Sequence, residues 1–427
     1  MIDSAKTLHE QIAMLSRFRI EPKWLRDLRQ QALTHYEQLP DVTWEKSSLQ
    51  ARPTGPFFPT AMEQKPMSEH VDLDRHFRHD TRNLVLFDNE KIVEHRMQAH
   101  LARKGVLLTG LSLAVRIFPK RIEPYFGQLL PHTTNKWLAL QTALFNAGAF
   151  LYVPRHVKVS VPMQVWWRRT SGGGLVHPRL LVVAEEGAEV TLLTGEVSEL
   201  EEPAFSVLAT EVIAKQGARV KILSLQEQDP QMTRLSFARA HLEKDAEVNW
   251  VYADAGESYS IQDFTSVLHG DGARTTLDAV CLNQGRAHLD LTQTAAHIGR
   301  YTESRMQGRG IVGDQARAFL RSVSKIEKGA VGTSSTQEER LLLLNKEAQA
   351  HAVPMLLIDE EDVSCDHALS VGKLNDEHLF YLMARGLTEA EAKRLLLRGF
   401  LSPVVEATGM EGVRLTLYDW LEKKVKL

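Results

Sequence analysis

Hydrophobic and polar positions follow three regimes along this chain. In the first, Leu8, Ile12 and Leu15, then Trp24, Leu25, Leu28 and Leu33, recur three or four residues apart in most steps. That spacing lines one face of a helix, and Pro22 stands where a helix can begin, since its fixed φ suits a first turn. From Gln50 to Pro66 the periodicity fades and prolines accumulate, as in a linker or an irregular arm. A second helical stretch is predicted from Asn135 to Asn146, ending at Gly148.

Beyond it the period shortens to two. Val157, Val159 and Val161 alternate with Lys158 and Ser160, and "ARVKI" (218–222) and "EVNWVY" (247–252) behave alike, which predicts strands. No amphipathic helix interrupts this region until about residue 335. A turn element precedes a strand in "EGAEV" (186–190), "QGARV" (216–220), "KDAEV" (244–248) and "DGART" (271–275). Its alanines Ala188, Ala218, Ala246 and Ala273 stand 30, 28 and 27 positions apart. One interval with one corner chemistry favours stacked turn–strand–corner–strand units, a β-solenoid, over an antiparallel sandwich.

The third regime is helical. Asn375 can cap a helix that Gly386 ends; Thr388 and Glu391 form a capping box for the next, and "TLYDWLEKKVKL" closes the chain. The expected organisation is mainly β: a helical region and linker over 1–80, a β-helix core over 81–372 and a helical domain over 373–427. Leu379, Phe380 and Met383 on the first C-terminal helix, with Leu395, Leu396 and Phe400 on the second, offer more apolar surface than one contact with the chain's own core absorbs. They are candidate docking residues, unless the last helix folds back over them.

Composition removes several functions. Hydrophobic residues at 43% and charged residues at 25% of 427 are ordinary for a globular protein. Net charge is −3 with Lys and Arg spread throughout, which gives no nucleic-acid footprint. The N-terminal "MIDSAKTLHEQIAML" lacks the apolar core of a signal peptide, and no run of apolar residues reaches membrane-spanning length. A cytoplasmic, reduced location is expected, consistent with two cysteines too far apart for zinc spacing.

Gly308, Gly310 and Gly313 in "GRGIVG" match a dinucleotide fingerprint, but "DQARAFLRSVSKIE" after them alternates like a strand, so they are read as solenoid corners. No phosphate-binding P-loop occurs, "TSGGGLVHP" lacking the Lys and hydroxyl. "HLDLTQTAAH" sets His288, Asp290, Thr292 and Thr294 on one face and His297 on the other, too few donors for a metal, so its histidines are expected to be hydrogen-bonded at the surface or a corner. Asp359, Glu360, Glu361 and Asp362 read as a solvated turn. The alternative is a solenoid enzyme cleaving polysaccharides with these acids, with Trp166, Trp167 and Trp250 as candidate sugar platforms. Cys281 alternates in phase with Leu277 and Ala279 and reads as buried. Cys365 differs: His367 lies two residues on, facing the same side of an extended segment, and thiolate with imidazole suits iron or zinc. An iron–sulfur cluster takes four ligands, so any cluster here is shared across a subunit interface.

"NAGAFLYVPRHVKVSVPMQ" (146–164), "ESRMQGRGIV" (303–312), "CDHALSVGKLNDEHLFYLMARGL" (365–387) and "PKWLRDLRQQAL" (22–33) resemble the SufB/SufD family of iron–sulfur cluster assembly proteins, and the Cys-x-His before the C-terminal helices is most like its SufD branch. The resemblance implies a right-handed parallel β-helix between helical ends and a non-enzymatic scaffold subunit. It implies a SufB-type partner, a SufC-type ATPase docked on the C-terminal helices and a nascent cluster at the interface, with His367 as the matching histidine and Cys365 beside it. No cluster is then held stably by the chain alone, and the isolated subunit can pair with itself. Where relatives read Cys-x-His-Gly-Ala-Thr, this chain has Ala368, Leu369 and Ser370; Leu291 and Tyr301 stand where many carry further histidines.

Overall fold

Helices α1 (Leu8–Phe18) and α2 (Lys23–Gln38) form where the spaced leucines predict them, with Pro22 as the N-cap of α2. They belong to a computed structural model that describes residues 8–50, 52, 54, 80–170 and 176–425; most of the predicted 50–66 arm lies outside the described residues. Next come β1 (Leu84–Asp88), β2 (Lys91–Arg96), α3 (Ala99–Arg103), β3 (Leu107–Gly110), α4 (Leu111–Ile117), α5 (Pro119–Ile122) and α6 (Lys136–Leu144). Asn135 caps α6 through its side chain, but Gly148 does not end that helix: Phe145 is its C-cap, and Gly148 lies in the following strand. Arg29 on α2 is fully buried and donates to Glu21 and to the carbonyls of Ala143 and Phe145, tying α2 to the end of α6.

Among the described residues sixteen strands then wind with two per turn. One parallel sheet stacks β5 (Met163–Arg169), β7 (Glu189–Ser198), β9 (Arg219–Glu227), β11 (Glu247–Asp254), β13 (Arg274–Asn283), β15 (Glu303–Val312), β17 (Thr333–Leu343) and β19 (Val363–Lys373) in that order, after β2 and β1. The other stacks β4 (Ala147–Val153), β6 (Pro178–Ala184), β8 (Ala204–Ala214), β10 (Met232–Leu242), β12 (Tyr259–Leu268), β14 (His288–His297), β16 (Arg317–Ile326) and β18 (Gln349–Ile358) beyond β3. The fold is a β-solenoid of eight turns flanked by helices. Alternate residues such as Val220, Ile222, Val248, Trp250, Leu277 and Ala279 fill its interior.

The repeated alanines explain the corner. Ala188, Ala218, Ala246 and Ala273 are fully buried, and each donates its N–H to the carbonyl three residues back. The carbonyls of the first three accept from Arg219, Glu247 and Arg274 one turn on. The residue after each alanine points outward in register with its neighbours, giving a column Glu189, Arg219, Glu247, Arg274, Glu303 of alternating sign. Arg219 lies 3.4 Å from Glu189, and Arg274 lies 3.2 Å from Glu303.

Two expectations fail here. Residues 157–161 alternate like a strand yet form a loop carrying one bridge, Lys158 to Glu189, because the neighbouring turn offers pairing only there. Gly308 and Gly310 are not corners but the middle of β15; Gly313 alone lies at a turn. A β-carbon on Gly310 would fall 2.4 Å from the Leu341 side chain, so the glycine makes room for a leucine packed over it.

Three helices end the described chain: α7 (Asp376–Ala384), α8 (Glu389–Ala407) and α9 (Glu411–Lys424). Asn375 caps α7, Gly386 turns the chain with φ +99°, and Thr388 and Glu391 make the predicted capping box. Leu397, Leu401, Val404 and Val405 of α8 pack with Leu417 and Leu421 of α9 on the outer face of the first sheet. Lys221 Nζ donates to the Ala407 carbonyl at 2.9 Å, and Trp420 Nε1 to Glu227 at 3.0 Å, fastening these helices to the solenoid. Among the described residues no helix is long and apolar enough to cross a membrane.

Candidate functional site at the open end of the solenoid

β18 and β19 are the last strands of their sheets, each hydrogen-bonded to a neighbour on one side only. Among the described residues the solenoid therefore stops with two strand edges and an interior that no further strand covers. In β19, Cys365 is in register with Ser335, His367 with Gln337, Leu369 with Glu339 and Val371 with Leu341. Ser335, Gln337, Glu339 and Leu341 are all buried, which marks the inward face of β17, and strand pairing puts their partners on that face too. Cys365 and His367 thus share the inward face of the terminal turn, Cys365 half-buried and His367 exposed.

Burial pushes the Cys365 thiol above its ordinary pKa, the Asp366 carboxylate adds to this, and a backbone hydrogen bond from Ser335 partly opposes it. The sulfur therefore carries its proton near neutrality and becomes a strong ligand only when a metal displaces that proton. Among the described residues no group of three or more His, Cys, Asp or Glu side chains is arranged to hold a metal ion. Thiol and imidazole offer two donors, and the remainder of a coordination shell would come from outside the chain.

Beneath these donors the interior is polar. Ser335 Oγ lies 2.6 Å from Ser324 Oγ and 2.7 Å from Ser304 Oγ, and Ser304 reaches His297 Nε2 at 2.9 Å. His297 Nδ1 meets the Thr302 hydroxyl at 2.8 Å, and that hydroxyl also reaches the Gly299 carbonyl and the Thr333 hydroxyl, so both ring nitrogens are engaged. Burial lowers His297 to about 4 and keeps it neutral. It lies in the interior, not on the surface. Gln337 Nε2 donates to Ser324 and to the Met355 carbonyl across the interior. Glu339 also lies in this floor; the alternation of "SSTQEER" places it inward, but nothing in the sequence says the space there is closed to water.

The remaining candidates lie elsewhere. His288 is buried on the outer face, where Ser47 Oγ contacts its Nε2 at 2.8 Å and Asp290 at 2.6 Å, strapping residues near 47 across β14. Cys281 is fully buried, and burial pushes its thiol well up. Asp359 to Asp362 form an exposed turn in which the Glu360 carboxylate accepts the amides of Gly329 and Glu361. Trp166, Trp167 and Trp250 are all buried and offer no sugar platform, so the polysaccharide reading finds no support.

On the C-terminal helices, α9 does fold back, covering Leu397 and Leu401. Phe380, Met383 and Leu395 remain exposed, at 72%, 41% and 53%. Leu379, Leu396 and Phe400 are half-buried, and α7 buries no residue at all.

Residues 167–400 match the family described as "SUF system FeS cluster assembly, SufBD core domain", and residues 19–165 match "SufBD protein N-terminal region". The iron–sulfur cluster assembly protein SufD of Bacillus subtilis is 32% identical over 95% of this chain and 95% of its own. SufB of the same organism is 24% identical over 94% of this chain and 90% of its own. An iron–sulfur cluster assembly SufBD family protein of Staphylococcus epidermidis is 26% identical over 94% and 89%.

Proposed function

The chain belongs to the SufBD family of iron–sulfur cluster assembly proteins, and we propose that it is a non-catalytic, SufD-like subunit of a cytoplasmic assembly scaffold. The greater identity to a SufD than to a SufB supports the branch. The observation that carries the reading is the pair Cys365 and His367 on the inward face of a terminal turn that, among the described residues, no further strand covers. A cluster needs four ligands, so two donors at an open solenoid end fit a site completed by a second chain. That chain is a SufB-type subunit, docked on the edges of β18 and β19; in its absence a second copy of this chain can occupy them. The nascent cluster is cargo, held transiently between the two. The exposed side chains of α7 and α8 receive the SufC-type ATPase, with Leu379, Phe380, Met383, Leu395, Leu396 and Phe400 as the contact set. Neither nucleic acid nor a membrane enters the scheme.

Co-expression with SufB-type and SufC-type partners, followed by anaerobic iron and sulfide supply, tests the assignment. The three chains should co-purify and assemble a cluster that falls sharply in the His367→Ala complex. Failure of the chains to associate, or full assembly without the imidazole, would sink it.

A further inference from the structure

In the solenoid a β-carbon on Gly195 would fall 1.9 Å from the Trp166 ring, and one on Gly308 2.8 Å from Leu320, so each glycine makes room for a side chain of its own protein. Gly399, in the middle of α8, is different. Its φ is not in the left-handed region, and a β-carbon there would meet no atom within 4 Å among the described residues. Neither backbone conformation nor internal packing calls for the missing side chain, although glycine is a far poorer helix former than alanine. Leu395, Gly399 and Pro403 stand four residues apart and so share one face of α8, and all three are exposed. The opposite face, with Leu397, Leu401, Val404 and Val405, is the one packed on the solenoid. Pro403 has no N–H, and the Gly399 carbonyl takes a hydrogen bond from the Ser402 hydroxyl at 3.1 Å instead. Arg398 turns toward α9, where Glu422 lies at 4.0 Å and the Tyr418 ring at 4.6 Å, so its charge is held away from the stripe. What remains is a shallow apolar notch at Gly399, walled by Leu395 and Pro403.

We propose that the ATPase docked on α7 and α8 seats an apolar side chain in this notch, Gly399 setting how closely the two chains approach. The inference rests on the docking reading above and adds to its contact set a residue that contributes by having no side chain. The occupant is apolar because the stripe offers no polar side chain to replace the water a polar group would lose. It belongs to the ATPase because the notch is continuous with Leu395 and Phe400 of the contact set on the same helix. The distance between packed helices depends on the side chains at their contact, and an empty position on a ridge brings the neighbour closer.

Two measurements on the full-length chain test this: calorimetric titration with the SufC-type partner, and amide hydrogen exchange in its absence. Gly399→Ala should slow exchange in α8 about twofold to fivefold, as a better helix former does, and yet weaken ATPase binding severalfold. Gly399→Leu, which fills the notch, should weaken binding about tenfold or more while circular dichroism stays unchanged. Wild-type affinity in Gly399→Leu overturns the proposal. So does faster α8 exchange in Gly399→Ala, which would mean that the glycine serves the helix's own passage through Pro403. Failure of the underlying reading has another signature, since Phe380→Asp and Leu395→Asp would then also bind like wild type. A loss in those two beside an undisturbed Gly399→Leu condemns the notch alone.

Discussion

Arg179 on β6 and Glu211 on β8 meet at 2.5 Å with both side chains wholly withdrawn from water. Glu211 also accepts the amides of Gly127 and Leu129, and Arg179 donates to Gln141 on α6, so the pair welds the helical entry segment to the solenoid. Removing one partner leaves a buried charge without its counter-ion. Arg179→Ala should therefore lower unfolding free energy by about 3–5 kcal/mol, read from urea denaturation. A loss under about 1 kcal/mol would mean that water reaches the pair.

The isolated chain should bind no stoichiometric iron–sulfur cluster after anaerobic reconstitution, because Cys365 and His367 cannot fill four positions. Iron and acid-labile sulfide analysis checks this. A stable cluster on the lone subunit would show that the site is complete without a partner.

His367→Ala should leave folding and complex formation intact, since the imidazole is exposed, while cluster yield falls severalfold or more. Cys365→Ser should do less, a second chain's thiols being able to take its place. Electronic absorption of the anaerobically assembled complexes measures both. The order of the two effects is the sensitive point: a larger loss for Cys365→Ser would make the thiol the principal donor.

For the ATPase, Phe380→Asp and Leu395→Asp should each weaken binding about thirtyfold, the size of a hot-spot loss near 2 kcal/mol. Circular dichroism should not change, because both side chains are already in solvent. Calorimetric titration against the SufC-type partner reads the affinity. Unaltered binding in both variants would move the docking surface away from α7 and α8.

His297 supplies a pH-dependent increment. Its folded value of about 4 lies below the ordinary 6.5, so its neutral hydrogen-bonded form stabilises the fold above pH 6.5. That contribution fades as pH falls toward 4, where the unfolded chain binds the extra proton. Comparison with His297→Gln should show the wild-type advantage shrinking by about 3 kcal/mol between pH 7 and pH 4. An advantage that does not change with pH would place a water-exposed imidazole at this position.

Much of this architecture can be read from letters alone because its corner repeats its chemistry: Ala188, Ala218, Ala246 and Ala273 are each fully buried at the same turn. The caps at Asn375 and Thr388 are equally legible, since a cap is a local bargain between a side chain and the next few amides. Val157, Val159 and Val161 mislead because alternation proposes a strand while only a neighbouring turn can pair with it. Gly308 and Gly310 mislead for the opposite reason, their meaning residing in Leu320 and Leu341 from adjoining strands. Cys365 and His367 are visible as a pair by their spacing. Their floor of Ser335, Gln337 and Glu339 is not, since the alternation that sets them inward is silent about whether the interior there is closed to water.

The column Glu189, Arg219, Glu247, Arg274, Glu303 has one last consequence. Each charge is flanked by the opposite sign one turn away, and pairs of this kind contribute roughly 0.2–1 kcal/mol each, with like charges opposed costing as much. Excising one turn from this stretch would bring Glu189 against Glu247, or Arg219 against Arg274. Excising two restores the alternation. The solenoid therefore has a parity: along this edge it can be shortened or lengthened without penalty only by an even number of turns, and a slip of one turn during winding announces itself as repulsion.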